Sequence, residues 1–334
     1  MLVIFLALPF IQKGTKTFPH VSLTGREKHV EKPNWSIKSW LNGKAAREFE
    51  AHFTATIGFR GLFVKALNQF NFLAFGNITA NKGTSVILGK DCWLYENTYV
   101  KHYRKRHGMG KKSTRKFLKD LKSLQDKLAE RDIRFLFLIS PSKAEIYPEY
   151  LPDNVVISKE ALERQTAYEL FAPQLADFSI NHLDATAFFK KQKPTTDALF
   201  TRTGTHWTYY GSFLVIQELL SKINNFSEHT YTIPKITSLN HMKPLGTDND
   251  LELLLNLFWF IPKNKSKIPY PVVETNPLPI KQRNNILLIG DSFAFTLVDS
   301  INLAKIAHKI DLFYYFKRLY SYTCEENPGY AYTH

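Results

Sequence analysis

Residues 286–293 read ILLIGDSF, and this stretch decides the fold class. Four consecutive apolar residues suit a strand covered on both faces. The run stops at Gly290, and a helical segment is expected from about 296 to 308. A strand that ends in glycine and turns into a helix leaves Ser292 at the carboxyl edge of a sheet. There its hydroxyl is exposed, and helix-start amides can stabilise a developing oxyanion. Gly290 and Asp291 would form the turn and the oxyanion side of that corner. Gly-Asp-Ser alone is weak evidence, expected by chance in roughly one chain in ten, and a serine that merely caps the helix is the competing reading.

Working outward, residues 133–139 (IRFLFLI) form a second apolar run of strand length, and residues 84–88 and 182–184 read as short strands. Helices are expected over about 159–176 and 208–222, and one capped by Ser113 carries Phe117, Leu121, Leu124 and Leu128 on one face. Apolar residues recur at three- and four-residue steps from 45 to 75, a long helix with a break near Gly58 and Gly61. A further strand is expected over 310–316. Helices alternating with buried strands predict an α/β layered fold with a mainly parallel sheet.

The 334 residues carry 44 Lys+Arg against 30 Asp+Glu, a net charge of +14, with 44% apolar residues. Such a chain is not disordered. Nine of the cations fall between Lys101 and Lys119 without one acid, and the remaining 35 basic residues against 30 acidic ones leave +5 elsewhere. That cluster can attract a polyanion, but no nucleic-acid-binding signature follows it, so no specific nucleic-acid partner is expected. The two cysteines, Cys92 and Cys324, are too few for a disulfide scaffold or a cysteine-based zinc site, and no metal or cofactor is expected. Residues 2–11 (LVIFLALPFI) are too short an apolar run to span a bilayer. Residues 1–12 are therefore expected to be a signal peptide or the remnant of a membrane anchor, 13–44 a linker, and 45–334 one domain shortened at its C-terminus, where CEENPGYAYTH supplies no final apolar strand.

A serine nucleophile needs a base, and His206, in a segment of small and hydroxylated residues just ahead of a helix, is the best candidate. With it in place, residues 49–68 (FEAHFTATIGFRGLFVKALN), 89–96 (GKDCWLYE), 141–152 (PSKAEIYPEYLP), 203–207 (TGTHW) and 286–293 resemble the successive motifs of the SGNH-hydrolase-like proteins of alginate O-acetylation. The resemblance implies a three-layer α/β/α domain with an N-terminal helical segment. It also implies a periplasmic acyltransferase, often anchored to the inner membrane, that moves acetyl groups onto an exported, alginate-like anionic polysaccharide. A membrane-bound O-acyltransferase partner would deliver the acetyl group. Ser292 maps to the family's nucleophile and His206 to its base. Lys143 and Tyr147, just past the strand 133–139, are placed in the same cleft as substrate-binding residues, with Trp207 as a packing wall or a sugar-stacking ring.

The family's orienting Asp maps to Gly204, which has neither charge nor hydrogen-bonding side chain. Spoiling that carboxylate in a serine protease lowers turnover about ten-thousandfold. Three readings stay open: Asp184 or Asp197 orients His206, a Ser-His dyad works slowly, or the chain is a non-catalytic, polysaccharide-binding relative. An acetyl esterase would use the same groups with water as acceptor. Cys92 is a second departure, standing where the family has Gly in a tight bend.

Overall fold

The computed structural model describes residues 2–25, 30–78, 86–105, 110–196, 198–225, 230–260 and 267–323. The chain divides into two compact units, Met1–Val86 with Glu252–Ile261, and Ile87–Leu251 with Pro262–His334.

The first unit holds helices α1 (Leu2–Thr15), α2 (Ile37–Leu41), α3 (Lys44–Thr56) and α4 (Arg60–Phe75). The long apolar period over 45–75 is broken between α3 and α4, and the glycines show why. A Cβ on Gly58 would lie 2.2 Å from the Pro9 carbonyl oxygen, and one on Gly61 would lie 1.8 Å from that of Val21. Only hydrogen fits where these backbones meet.

The second unit contains β1 (Val86–Leu88), continued from the boundary, β2 (Leu94–Glu96), α5 (Asn97–Tyr103), α6 (Lys111–Ala129), β3 (Phe137–Ile139), α7 (Lys143–Ile146), α8 (Lys159–Leu162), α9 (Ala167–Phe171), β4 (His182–Asp184) and α10 (Ala185–Gln192). There follow α11 (Tyr209–Ile223), β5 (Lys235–Met242), α12 (Asp250–Leu254), which crosses to the first unit, β6 (Ile268–Glu274), β7 (Asn284–Gly290), α13 (Phe293–Ala304), β8 (Ala307–Tyr314) and β9 (Arg318–Thr323).

The expected mainly parallel sheet is not what forms. Among the described residues the strands make four small sheets: β1-β2, β3-β4, β5-β6 and β7-β8-β9. The β3/β4 and β7/β8 ladders are parallel, while β5/β6 and β8/β9 are antiparallel. One cause is that only Phe137–Ile139 of the apolar run 133–139 pairs as strand. Another is that β5, largely exposed, has no apolar run to announce it. The helix expected over 159–176 is divided, because Ser158 and Thr166 each cap a separate short helix and Pro173 enters the 3₁₀ turn after α9. Helix α6 begins at Lys111 after Gly110, so Ser113 does not cap it. Residues 84 and 85 of the first expected strand, and 324–334, lie outside the described residues.

The core that matters for function lies between α11 and α13. Phe213, Ile216 and Leu220 of α11 and Leu297 and Ile301 of α13 are buried together with Ile310 and Leu312 of β8. A polar seam registers the two helices. The Trp207 indole N–H donates to Thr296 Oγ1 (2.8 Å), Ser212 Oγ to the Thr296 carbonyl (3.2 Å), and Ser300 Oγ to Ser212 Oγ (2.9 Å). Buried hydrogen bonds of this kind penalise slippage, since a shifted register would leave each group unpaired. The starts of both helices are thereby held side by side.

Candidate active site

Ser292 occupies the junction of β7 and α13, but its side chain makes no capping bond. Asp291 takes that part: its Oδ1 accepts the Phe293 N–H at 3.0 Å. The Gly290 carbonyl accepts the Tyr315 N–H at 3.0 Å, tying the corner to the turn between β8 and β9. Gly290 and Asp291 thus build the bend, and the helix-cap reading of Ser292 falls. The serine hydroxyl is left for His206, whose Nε2 lies 2.7 Å from Ser292 Oγ.

His206 precedes α11, whose cap is Thr208, with Oγ1 accepting the Gly211 N–H at 2.9 Å. The imidazole is buried and rests against the Phe293 ring, 4.8 Å between centroids. Its Nδ1 is 2.8 Å from Asp250 Oδ2, the first residue of α12. That approach is short but oblique, outside hydrogen-bond angles for Nδ1, so in this geometry Asp250 acts on the ring as a neighbouring charge. Its Oδ1 accepts the Thr205 N–H at 2.8 Å. One carboxylate therefore holds the backbone beside His206 and faces the ring.

Asp184, one of the two carboxylates named from the sequence, does not fill this place. Asp184 caps α10 through the Ala187 N–H (2.9 Å) and accepts the Tyr168 hydroxyl (2.8 Å). Asp197 lies outside the described residues. Asp250 sits in GTDNDLE (246–252), 44 positions after His206, and no spacing rule points to it.

The structure explains Gly204 as well. A Cβ there would lie 2.7 Å from each of the Asp248 carbonyl oxygen, the Thr247 carbonyl oxygen and Thr201 Oγ1. Thr201 Oγ1 donates to the Asp248 carbonyl (2.5 Å) and accepts the Gly204 N–H (2.8 Å), and the Leu251 N–H donates to the Thr203 carbonyl (3.1 Å). Residues 247–248 thus fill the space a side chain at 204 would need, and the same segment delivers Asp250. Asp248, buried and accepting the Tyr270 hydroxyl and the Leu245 N–H, anchors it. Burial pushes the Asp248 carboxyl up to about 6.

Three further groups surround the serine and histidine. Burial pushes the Glu96 carboxyl up, with His206 pulling it the other way. Burial, reinforced by Asp291 and Glu96, raises both Tyr99 and Tyr315, and the Tyr315 side chain interacts with Ser292. Tyr315 stands in the β8–β9 turn with φ 48°, a left-handed conformation that few non-glycine residues adopt. Glu96 ends the motif GKDCWLYE, so its position was visible in the sequence although its role was not.

The residues assigned to substrate binding do not line an open cleft. Lys143 and Tyr147 are each 2% exposed and Trp207 1%. The Lys143 ammonium donates to the carbonyls of Leu94 (2.8 Å), Arg202 (2.9 Å) and Gly204 (2.8 Å), which uses all three of its donors. Tyr147 packs on Trp93, 4.8 Å between centroids. Trp207 is a wall against Phe293 and Phe189. Sequence cannot distinguish a rim lysine from one whose stem carries its charge inward to a cage of carbonyls. Among the described residues no group of three His, Cys, Asp or Glu side chains could hold a metal ion.

A serine hydroxyl on an imidazole, with a carboxylate on the far side of the ring, is equipped for nucleophilic acyl chemistry. The family model described as SGNH hydrolase-like domain, acetyltransferase AlgX, matches residues 86–302. The chain is 27% identical over 197 residues to the probable alginate O-acetylase AlgJ of Pseudomonas syringae pv. tomato, covering 55% of this chain and 47% of that protein. It is 25% identical over 216 residues to the protein of the same name from Pseudomonas aeruginosa, covering 60% and 50%. It therefore spans about half the length of the curated relatives it matches. The solved O-acetyltransferase domain of Pseudomonas putida AlgJ aligns over 69% of this chain and 79% of that one, at 18% identity and a TM-score of 0.42.

Proposed function

Since this chain belongs to the SGNH-hydrolase-like family of AlgX-type acetyltransferases, we propose that it transfers acetyl groups to an exported, alginate-like polysaccharide through an acetyl-Ser292 intermediate. The observation that carries this reading is the run of contacts from Ser292 Oγ to His206 Nε2 and from His206 Nδ1 to Asp250. A non-catalytic relative was suggested by the missing acid at Gly204, and Asp250 supplies that acid from another segment.

In the first half-reaction His206 Nε2 takes the Ser292 proton as Oγ attacks the acetyl carbonyl. The tetrahedral intermediate collapses, its donor leaving group departs with the proton from His206, and the acetyl ester remains on Ser292. In the second, His206 takes the proton of a sugar hydroxyl, the sugar oxygen attacks the acetyl-serine, and the proton returns to Ser292. The imidazolium formed each time faces Asp250, a stabilising charge in a site of low polarity.

The donor in this reading is a membrane-bound O-acyltransferase, and the site of action is the periplasmic face of the cell envelope. Helix α4 supports attachment to a membrane surface: Phe63, Leu67, Phe70 and Leu73 form an exposed apolar stripe, and its only charges are Arg60 and Lys65. No described helix is long and apolar enough to cross a membrane. The exposed Lys111, Lys112, Arg115 and Lys119 of α6 support an anionic polymer as acceptor.

The test is incubation with a chromogenic acetyl ester and an oligomannuronate. Acetylated sugar together with an acetyl adduct on Ser292, both absent from Ser292→Ala, is the expected result. Free acetate without acetylated sugar would replace the transferase by an esterase. A folded protein that forms no Ser292 adduct would overturn both.

A further inference from the structure

The histidine loop needs something to hold it. His206 follows Gly204 by two residues, and the loop from Arg202 to Thr205 is neither helix nor strand. Two of its carbonyls, those of Arg202 and Gly204, converge with the Leu94 carbonyl of β2 on one point, 2.8 to 2.9 Å from Lys143 Nζ. The Leu94 N–H donates back to the Arg202 carbonyl at 2.8 Å. The same nitrogen lies 4.9 Å from the centroid of Trp93 and 5.3 Å from that of Tyr95, positions where an aromatic face attracts a cation. Three carbonyl acceptors require three donors. An ammonium has three, whereas a neutral amine has two and would turn its lone pair on the third oxygen.

From this cage we infer that Lys143 is a positioning residue: its ammonium fixes the Arg202–Gly204 carbonyls against β2 and so sets His206 at hydrogen-bonding distance from Ser292. The inference rests on Ser292 and His206 being nucleophile and base, and it holds whether sugar or water accepts the acyl group. Removing the ammonium leaves three buried carbonyls repelling one another where the loop must be tightest. A misplacement of about 1 Å in a catalytic pair costs on the order of a hundredfold in rate. Burial works against the charge and pushes the Lys143 pKa well down, and the negative charge of Asp250 pushes the other way. Lys143 and Asp250 thus grip one loop by complementary means, through its carbonyls and through the Thr205 N–H.

The test uses the rate at which phenylmethylsulfonyl fluoride modifies Ser292, counted per folded molecule and measured beside the thermal midpoint. Lys143→Met keeps an unbranched side chain one atom shorter and loses the donors. Its folded fraction is expected to react about a hundredfold more slowly than the wild type, and in Lys143→Ala added propylammonium should restore part of the rate while propanol should not. A role confined to stability would lower the midpoint and leave the rate per folded molecule unchanged, which overturns the inference. Should both variants fail to fold, ¹⁵N spectroscopy of the lysine Nζ in the wild-type chain decides. A slowly exchanging ammonium at neutral pH supports the cage, and a neutral amine overturns it. If wild-type Ser292 does not react at all, the nucleophile assignment fails, while the spectroscopic result still judges the cage.

Discussion

Gly204→Asp puts a carboxylate two residues before the histidine, the position that the resemblance read from the sequence assigns to an orienting acid, and the packing around residue 204 predicts that it disrupts the site. The new Cβ would lie 2.7 Å from three oxygens, about 0.7 Å inside ordinary van der Waals contact. Two of these are backbone carbonyls of Thr247 and Asp248. The third, Thr201 Oγ1, is engaged with both the Asp248 carbonyl and the Gly204 N–H and has no free direction in which to rotate. Overpacking of this kind costs about 1–3 kcal/mol. Burying the added carboxylate beside two backbone carbonyls adds about 3–5 kcal/mol, by analogy with a buried ion pair that has lost its partner. The sum is a large part of the stability of an ordinary domain, about 5–15 kcal/mol. The only relief is to push residues 246–250 outward, which draws Asp250 away from His206. Acylation should then fall toward the roughly ten-thousandfold loss known for a triad without its acid.

Gly204→Ala separates the two causes, because it adds the Cβ without the charge. The assay is the burst of acetylation at Ser292 from a chromogenic ester, per folded molecule, beside the thermal midpoint. Alanine should lower the midpoint and slow acylation, and aspartate should do more of both. An aspartate variant with the wild-type midpoint and faster acylation would refute the reasoning, because position 204 would then be a vacant acid site and Asp250 a bystander.

Asp250→Asn keeps the acceptor for the Thr205 N–H and removes the charge facing the imidazole, so acylation should slow by about a thousandfold or more with little change in the thermal midpoint; an unchanged rate would remove Asp250 from the site. Asp248 carries a carboxyl whose folded pKa, about 6, exceeds its unfolded value. As pH rises from about 4 to 6 the unfolded chain releases that proton first, so stability falls over this window. Asp248→Asn abolishes that slope, gaining on the wild type up to roughly 3 kcal/mol by pH 7, which urea denaturation at pH 4.5 and 7.5 measures, and parallel curves would contradict it. Replacing Leu67 and Phe70 by Glu should abolish sedimentation with anionic vesicles while leaving Ser292 acylation intact. Equal sedimentation of variant and wild type would remove α4 from the membrane reading.

Ser292 and His206 were legible because each sits at the start of a helix, where local signals are dense: an apolar strand and a glycine before one, and small residues and the capping Thr208 around the other. The shared core of α11 and α13, registered by the polar seam of Trp207, Ser212, Thr296 and Ser300, then brings two such starts together. Asp250 was not legible, since its place depends on how residues 246–250 lie against 201–205, a packing with no periodicity to betray it. The sheet was overread for a related reason. An apolar run guarantees neither burial nor pairing: in 133–139 Ile133 is exposed, only Ile139 is buried, and only 137–139 join a ladder. Lys143 shows a different error: a charged residue just past a strand end reads as a substrate-binding group of an open cleft, whereas its partners are buried carbonyls.

What the imidazole requires is a carboxylate near Nδ1, and nothing in that requirement names a position in the chain. In this protein the carboxylate arrives from α12, and its route constrains everything it passes. Residues 247–248 must lie on the loop at 204, so residue 204 must have no side chain. Thr201 must bond the Asp248 carbonyl to hold the segment down, and Asp248 must be fixed by Tyr270 although its burial is costly. On the proposed reading, Gly204 is part of the seat for Asp250. Changes at 201, 204, 248 and 250 act on one shared contact, so their effects on acylation should not add. A side chain introduced at 204 meets the Thr247 and Asp248 carbonyls of the segment that leads to Asp250, so making room for it displaces the carboxylate already present.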